Sequence, residues 1–156
     1  MSEEDNNKDL APQITDNEPS KHTYSTSTPD TALYDYVVWA NKGLGQGITI
    51  TVKGTMYTGQ LISGADWCDL QIELQNHANS TSETKEAITS YYSAIKSNYY
   101  SLEAMAEKDK KGEPFHYLHM KNARVWDGKN LSDVAMHWRF KIGEVDGFAI
   151  GSLSKN

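Results

Sequence analysis

Residues 134–142 constrain the fold more than any other stretch of the chain. Val134, Met136, Trp138, Phe140 and Ile142 alternate there with Ala135, His137, Arg139 and Lys141. A period of two places the large apolar side chains on one face of an extended strand and the basic ones on the other. Such a strand is stable only when partner strands and a second layer cover its apolar face. The chain supplies candidates for both. Ile48, Ile50 and Val52 alternate with Thr49, Thr51 and Lys53, and Gly54-Thr55 turns the chain into a returning strand over residues 56–62. Gly59 inside that return marks a bulge or sharp bend. Residues 115–126 and 148–153 are β-like as well. Asp127-Gly128-Lys129-Asn130 and the pair Asp146 and Gly147 are structural turns of the kind that join antiparallel strands.

Between these strands the period changes. Thr28-Pro29-Asp30-Thr31 reads as a helix start, with Thr28 as the capping hydroxyl and proline in the first turn. Leu33, Tyr36, Val37 and Ala40 then recur at three and four up to Lys42, and Gly43 ends the helix. Ser63 or Gly64 caps a second helix over residues 65–77. After the polar break at residues 79–82, a third helical stretch reaches Gly112. Ile88, Ile95 and Leu102 sit seven apart along it, flanked by tyrosines. That stripe predicts a helix packed on its own sheet, with self-association as the second reading. Tyr91, Tyr92, Tyr99 and Tyr100 form the candidate interaction surface, because tyrosine joins a large apolar body to a polar tip. The expected fold class is α+β: a bent antiparallel sheet or small SH3/Sm-like barrel of about five strands, with an N-terminal helix and a helical insertion over about residues 65–110.

At 156 residues the chain has room for one ordinary domain. Charge is unevenly placed. Residues 1–29 hold six acids against Lys8 and Lys21, which accounts for −4 of the net −6. With few large apolar residues, residues 1–27 cannot offset their chain entropy and are expected to form a disordered acidic tail, with residues 28–156 forming the domain. No run of about 18 apolar residues exists, and the acidic N-terminus lacks the character of a secretory signal. The lone Cys68 cannot form an internal disulfide, which fits a reducing, cytoplasmic compartment and an inert buried thiol.

Catalytic and cofactor motifs are missing from the sequence. Gly43-Leu44-Gly45-Gln46-Gly47 has the glycines of a phosphate loop but follows a helix, whereas such loops follow a strand. His116 and His119 are three apart on a predicted strand and so face opposite sides. They read as ordinary solvated or hydrogen-bonded histidines, and His77 and His137 do not complete a ligand set with them. Glu144 and Asp146 beside Gly147 suit a turn better than an acid pair. The expectation is a non-enzyme without metal or cofactor.

The C-terminal third carries a family resemblance. The segment from His116 through Ala123, followed by Trp138-Arg139-Phe140-Lys141-Ile142-Gly143-Glu144-Val145-Asp146-Gly147-Phe148-Ala149-Ile150-Gly151, resembles the gas vesicle accessory protein GvpU family. Val145-Asp146-Gly147-Phe148 is its most specific part. Residues 47–63, ending in Leu61-Ile62-Ser63-Gly64, are similar to the same family, so the resemblance spans about residues 31–154. The resemblance implies a non-catalytic accessory role in gas vesicles, the gas-filled protein shells that give microbes buoyancy. Its implied partners are the shell or other gas vesicle proteins, and its implied action is assembly or clustering of vesicles in the cytoplasm.

A second reading comes from the pattern of a helix followed by five strands. An Sm-like RNA-binding module would use Lys121, Arg124, His137, Arg139 and Lys141 with nearby aromatics. The net acidity of the chain argues against nucleic acid.

Overall fold

The computed structural model describes residues 29–154. The acidic tail expected over residues 1–27 lies outside the described residues. The elements run α1 (Thr31–Asn41), β1 (Gln46–Val52), β2 (Thr55–Ile62), α2 (Gly64–His77), α3 (Ser82–Ile95), a π-helical turn (Lys96–Tyr100), α4 (Leu102–Lys111), β3 (Tyr117–Trp126), β4 (Met136–Lys141), a 3-10 turn (Ile142–Glu144) and β5 (Gly147–Ile150). The strands form one open antiparallel sheet in the order β4-β3-β2-β1-β5. This is the predicted α+β class in its sheet form.

The cap of helix α1 lies two positions later than the sequence suggested. Asp30, not Thr28, is the cap: its carboxylate accepts a hydrogen bond from the Leu33 amide at 3.0 Å. Leu33, Val37 and Ala40 then bury against Ile48, Ile50, Leu61, Leu118, Met120 and Ile142. The opposite side of the sheet is covered by the helical insertion, where Ile62, Trp67, Cys68 and Tyr100 form a second cluster. With both faces covered, three consecutive residues of β3, Leu118, His119 and Met120, are all buried. Burial on both faces is what blurs period-two alternation in that strand.

The β1–β2 hairpin pairs Val52 with Thr55, leaving Lys53 and Gly54 as a two-residue loop, both with positive φ. That is the backbone of a type I′ turn, whose twist matches paired strands. Gly59 sits where the β2–β3 register shifts. A Cβ at this position would lie 2.7 Å from the Ala123 Cα, so only glycine lets the two backbones approach at the bulge.

Three expectations need correction. Asp146 and Gly147 do not join neighbouring strands, because β4 and β5 lie at opposite edges of the sheet. The 3-10 turn carries the chain across, and the Asp146 amide donates to the Thr51 carbonyl at 2.8 Å. The Ile88, Ile95, Leu102 stripe is interrupted: the π turn shifts the helical phase and Ser101 is extended (ψ 159°), capping α4 through the Ala104 amide. Leu102 is therefore 80% exposed, while Ile88 and Ile95 stay half-buried, and a continuous heptad seam for self-association is absent from these helices. Finally, the apolar face of β4 is shorter than its pattern. Trp138 and Phe140 pack on the main cluster and Ile142 is buried within it, but Val134 and Met136 are exposed.

Candidate functional site

A cavity of about 510 Å³ opens between the sheet and the helical insertion. Its floor is Tyr117 of β3 and Arg139 of β4. One wall is Tyr91, Ala94 and Ile95 of α3 with Asn98, Tyr99 and Tyr100 of the π turn. The other is Lys108 of α4 with Pro114, Phe115 and His116. The volume lies in the range of small-ligand sites, about 300–1,000 Å³.

The floor follows from strand register. His119 pairs with Arg139 and Tyr117 with Lys141, so Tyr117 and Arg139 are diagonal neighbours on the face turned toward the insertion. The Arg139 guanidinium lies 3.7 Å from the Tyr117 ring centroid and 5.7 Å from that of Trp67. Delocalised and weakly hydrated, a guanidinium stacks on aromatic faces in this way. Arg139 remains exposed, and among the described residues it forms no ion pair with a carboxylate. Lys108 lies 5.7 Å from the Phe115 ring centroid, with the Glu113 carboxylate 3.9 Å away. None of the lining residues is acidic.

Burial pushes the Tyr100 hydroxyl above its usual value, while the charge and hydrogen bonding of Arg139 oppose the shift. Below it, His119 is 1% exposed, with its ring 5.1 Å from Trp67 and 5.5 Å from Tyr100. Neither ring nitrogen has a hydrogen-bond partner in the structure. The expected solvated or hydrogen-bonded histidine is thus corrected to a buried, neutral one. Burial, helped by the charge of Arg139, pushes its pKa down to about 3. His116 stays exposed on the rim. Burial likewise pushes the Cys68 thiol up to about 11, so the thiolate is disfavoured at neutral pH.

The four tyrosines singled out in the sequence divide between surface and core. Tyr91 is 61% exposed and Tyr99 56%, both on the cavity wall. Tyr92 is half-buried against Trp67, at 5.6 Å between centroids, and Tyr100 is buried in the second cluster. Only Tyr91 and Tyr99 present a surface to a partner. Asp146 and Gly147 do not line this cavity and hold a structural position: the Asp146 carboxylate accepts from the Lys53 amide at 2.6 Å and so braces the β1–β2 loop.

The five basic residues of the RNA reading are differently occupied. Arg124 donates to the Ser132 and Asp133 carbonyls, Lys141 lies 3.6 Å from Glu144, and His137 accepts from the Asn122 amide. Arg139 belongs to the aromatic floor, and Lys121 remains exposed. Among the described residues, no three His, Cys, Asp or Glu side chains cluster as a metal site. No described helix is long and apolar enough to cross a membrane.

The tyrosine wall was legible as helical spacing. Tyr117, Lys108 and Phe115 were not singled out as site residues. The alternation of β4 gave the face of Arg139, but no local signal shows which residue of β3 lies beneath it.

No curated protein and no solved structure matches the chain. The family described as Gas vesicle protein GvpU-like matches residues 30–153, nearly all of the described part. The chain belongs to this GvpU-like gas vesicle protein family.

Proposed function

We propose that the protein is a non-catalytic gas vesicle accessory protein that binds vesicles, or their shell proteins, in the cytoplasm and promotes their assembly or clustering. Membership of the GvpU-like family over residues 30–153 is the observation that carries this reading. The geometry is compatible with it. Tyr91 and Tyr99 offer exposed aromatic surface beside a cleft of mixed aromatic and cationic character, a composition suited to protein contact. Several weak contacts per molecule become effective when linked, so clustering rises steeply with protein concentration.

The test is co-flotation of the purified full chain with intact gas vesicles, together with light scattering of the vesicle suspension as protein is added. Recovery in the floated layer and a concentration-dependent rise in scattering are expected. Failure to co-float at every salt concentration tried removes the reading.

A further inference from the structure

We propose that the cavity between the sheet and the helical insertion is a binding site for a singly charged carboxylate carried on an aromatic or branched apolar body, with Arg139 as its anchor. The proposal is independent of vesicle binding, because it concerns what the interior of the cleft recognises.

Charge sorting is the first argument. Outside residues 1–29 the chain carries a net charge of −2, yet the cavity lining contains Arg139 and Lys108 and no acid. An exposed guanidinium unpaired with a carboxylate keeps most of its five N–H donors for a ligand.

Pre-organisation is the second. Arginine side chains lose rotamer entropy when they bind, but stacking 3.7 Å from the Tyr117 centroid already restrains this one. A planar fork held in one orientation matches the two oxygens of a carboxylate. The second cation, Lys108, is already near Glu113 at 3.9 Å, so the site offers one free fork and favours a monoanion over a doubly charged phosphate.

The rest of the lining specifies the body of the ligand. Tyr91, Ile95, Tyr99 and Phe115 give apolar and aromatic walls around the charged floor. A ligand that put only a charge into this cavity would leave those walls wet. One with a ring or branched chain beside its carboxylate would fill them.

Such a group could belong to a free small acid or to the C-terminal residue of a chain, and the same experiment separates these sources. The full-length protein is titrated by calorimetry with N-acetyl-L-phenylalanine, its C-terminal amide, and a short peptide ending in phenylalanine with a free carboxylate. The acid is expected to bind about tenfold or more tightly than the amide, a discrimination of about 1.4 kcal/mol. Arg139→Lys, which keeps charge but loses the fork, and Arg139→Gln should both abolish that preference. Binding of the acid identifies a free small molecule as sufficient, and binding of the peptide alone assigns a chain terminus. Because Arg139 also packs on Tyr117, a substitution-free reading accompanies the variants: NMR perturbations on the unsubstituted protein should centre on Tyr117, Tyr100 and Lys108. No binding by either carboxylate probe at millimolar concentration, acid and amide both binding with equal affinity, or perturbations centred elsewhere would overturn the proposal.

Discussion

The side-chain oxygen of Asn41, at the end of α1, accepts a hydrogen bond from the Gly64 amide at the start of α2, 2.9 Å away and buried. The same side chain donates to the Val37 carbonyl at 2.9 Å. One asparagine thereby anchors itself on the last turn of α1 and supplies the acceptor for the amide at the start of α2, which has no partner within its own helix. Gly64 is constrained on its other side too, since a Cβ there would fall 2.2 Å from the Tyr100 ring.

Asn41→Leu should therefore destabilise the protein by about 2 kcal/mol, because it leaves the buried Gly64 amide without an acceptor. Gly64→Ala should cost about 1–3 kcal/mol by forcing Tyr100 out of its position. Urea melts measure both. The double variant should be less destabilised than the sum, since the first change already loosens the junction. Strict additivity would show that the two contacts are independent.

Trp138 stacks on Phe140 with 5.8 Å between centroids and meets Tyr57 edge-on at 5.2 Å. Trp138→Ala should cost about 3 kcal/mol, the low end for a large aromatic because the ring is only half-buried. Trp138→Phe should cost much less, since the indole N–H is buried without an acceptor. A phenylalanine variant as unstable as the alanine variant would contradict this packing.

His119 makes stability depend on acid. Its folded pKa is depressed to about 3 by burial, against an ordinary value of 6.5. The unfolded chain takes up the proton first, so stability falls as pH drops through the window from 6.5 to 3 and then levels. At pH 5 the loss from this group is about 2 kcal/mol. His119→Leu removes it and costs little at pH 7, since no hydrogen bond to the ring is lost. Melts at pH 7 and pH 5 should show a smaller acid shift in the variant than in the parent. Equal shifts would place the sensitivity elsewhere.

The β1–β2 loop holds Lys53 at φ 49°, a conformation that asparagine adopts more readily. Lys53→Asn should raise stability by about 0.5 kcal/mol by giving the turn its favoured Asn-Gly pair. Asp146→Ala should lower it by about 1 kcal/mol through loss of the 2.6 Å bond to the Lys53 amide. Thermal melts of each variant decide the sign.

Much of the fold was legible because local periods were strong. Ile48, Ile50 and Val52 gave β1, and Leu33, Val37 and Ala40 gave the buried face of α1. What escaped the reading depended on tertiary placement. Nothing near Asp146 says that β5 pairs with β1, 96 residues from Gly147 to Thr51, rather than with β4. The heptad spacing of Ile88, Ile95 and Leu102 was real as spacing. It misled because Ser101, an extended capping residue inside the run, ends one helical segment and starts another. The cleft was half visible: the tyrosines through their spacing, Arg139 through alternation, but not the stacking that needs β3 and β4 in register.

The same division of the tyrosines yields a functional prediction. Tyr91 and Tyr99 are exposed, so Tyr91→Ser with Tyr99→Ser should leave the circular dichroism spectrum and melting temperature close to those of the parent. Tyr100 sits in the second cluster under Gly64 and beside His119, so Tyr100→Ser should destabilise by about 3 kcal/mol on its own. Substituting all four tyrosines at once would confuse these effects. The exposed pair alone separates them, because any change in vesicle co-flotation then arises without loss of the core. If the proposed accessory role runs through this surface, the Tyr91 and Tyr99 double variant should stay folded and float with vesicles several-fold less. A folded double variant that co-floats like the parent would show that the tyrosine wall is structural and that vesicle contact lies on another face.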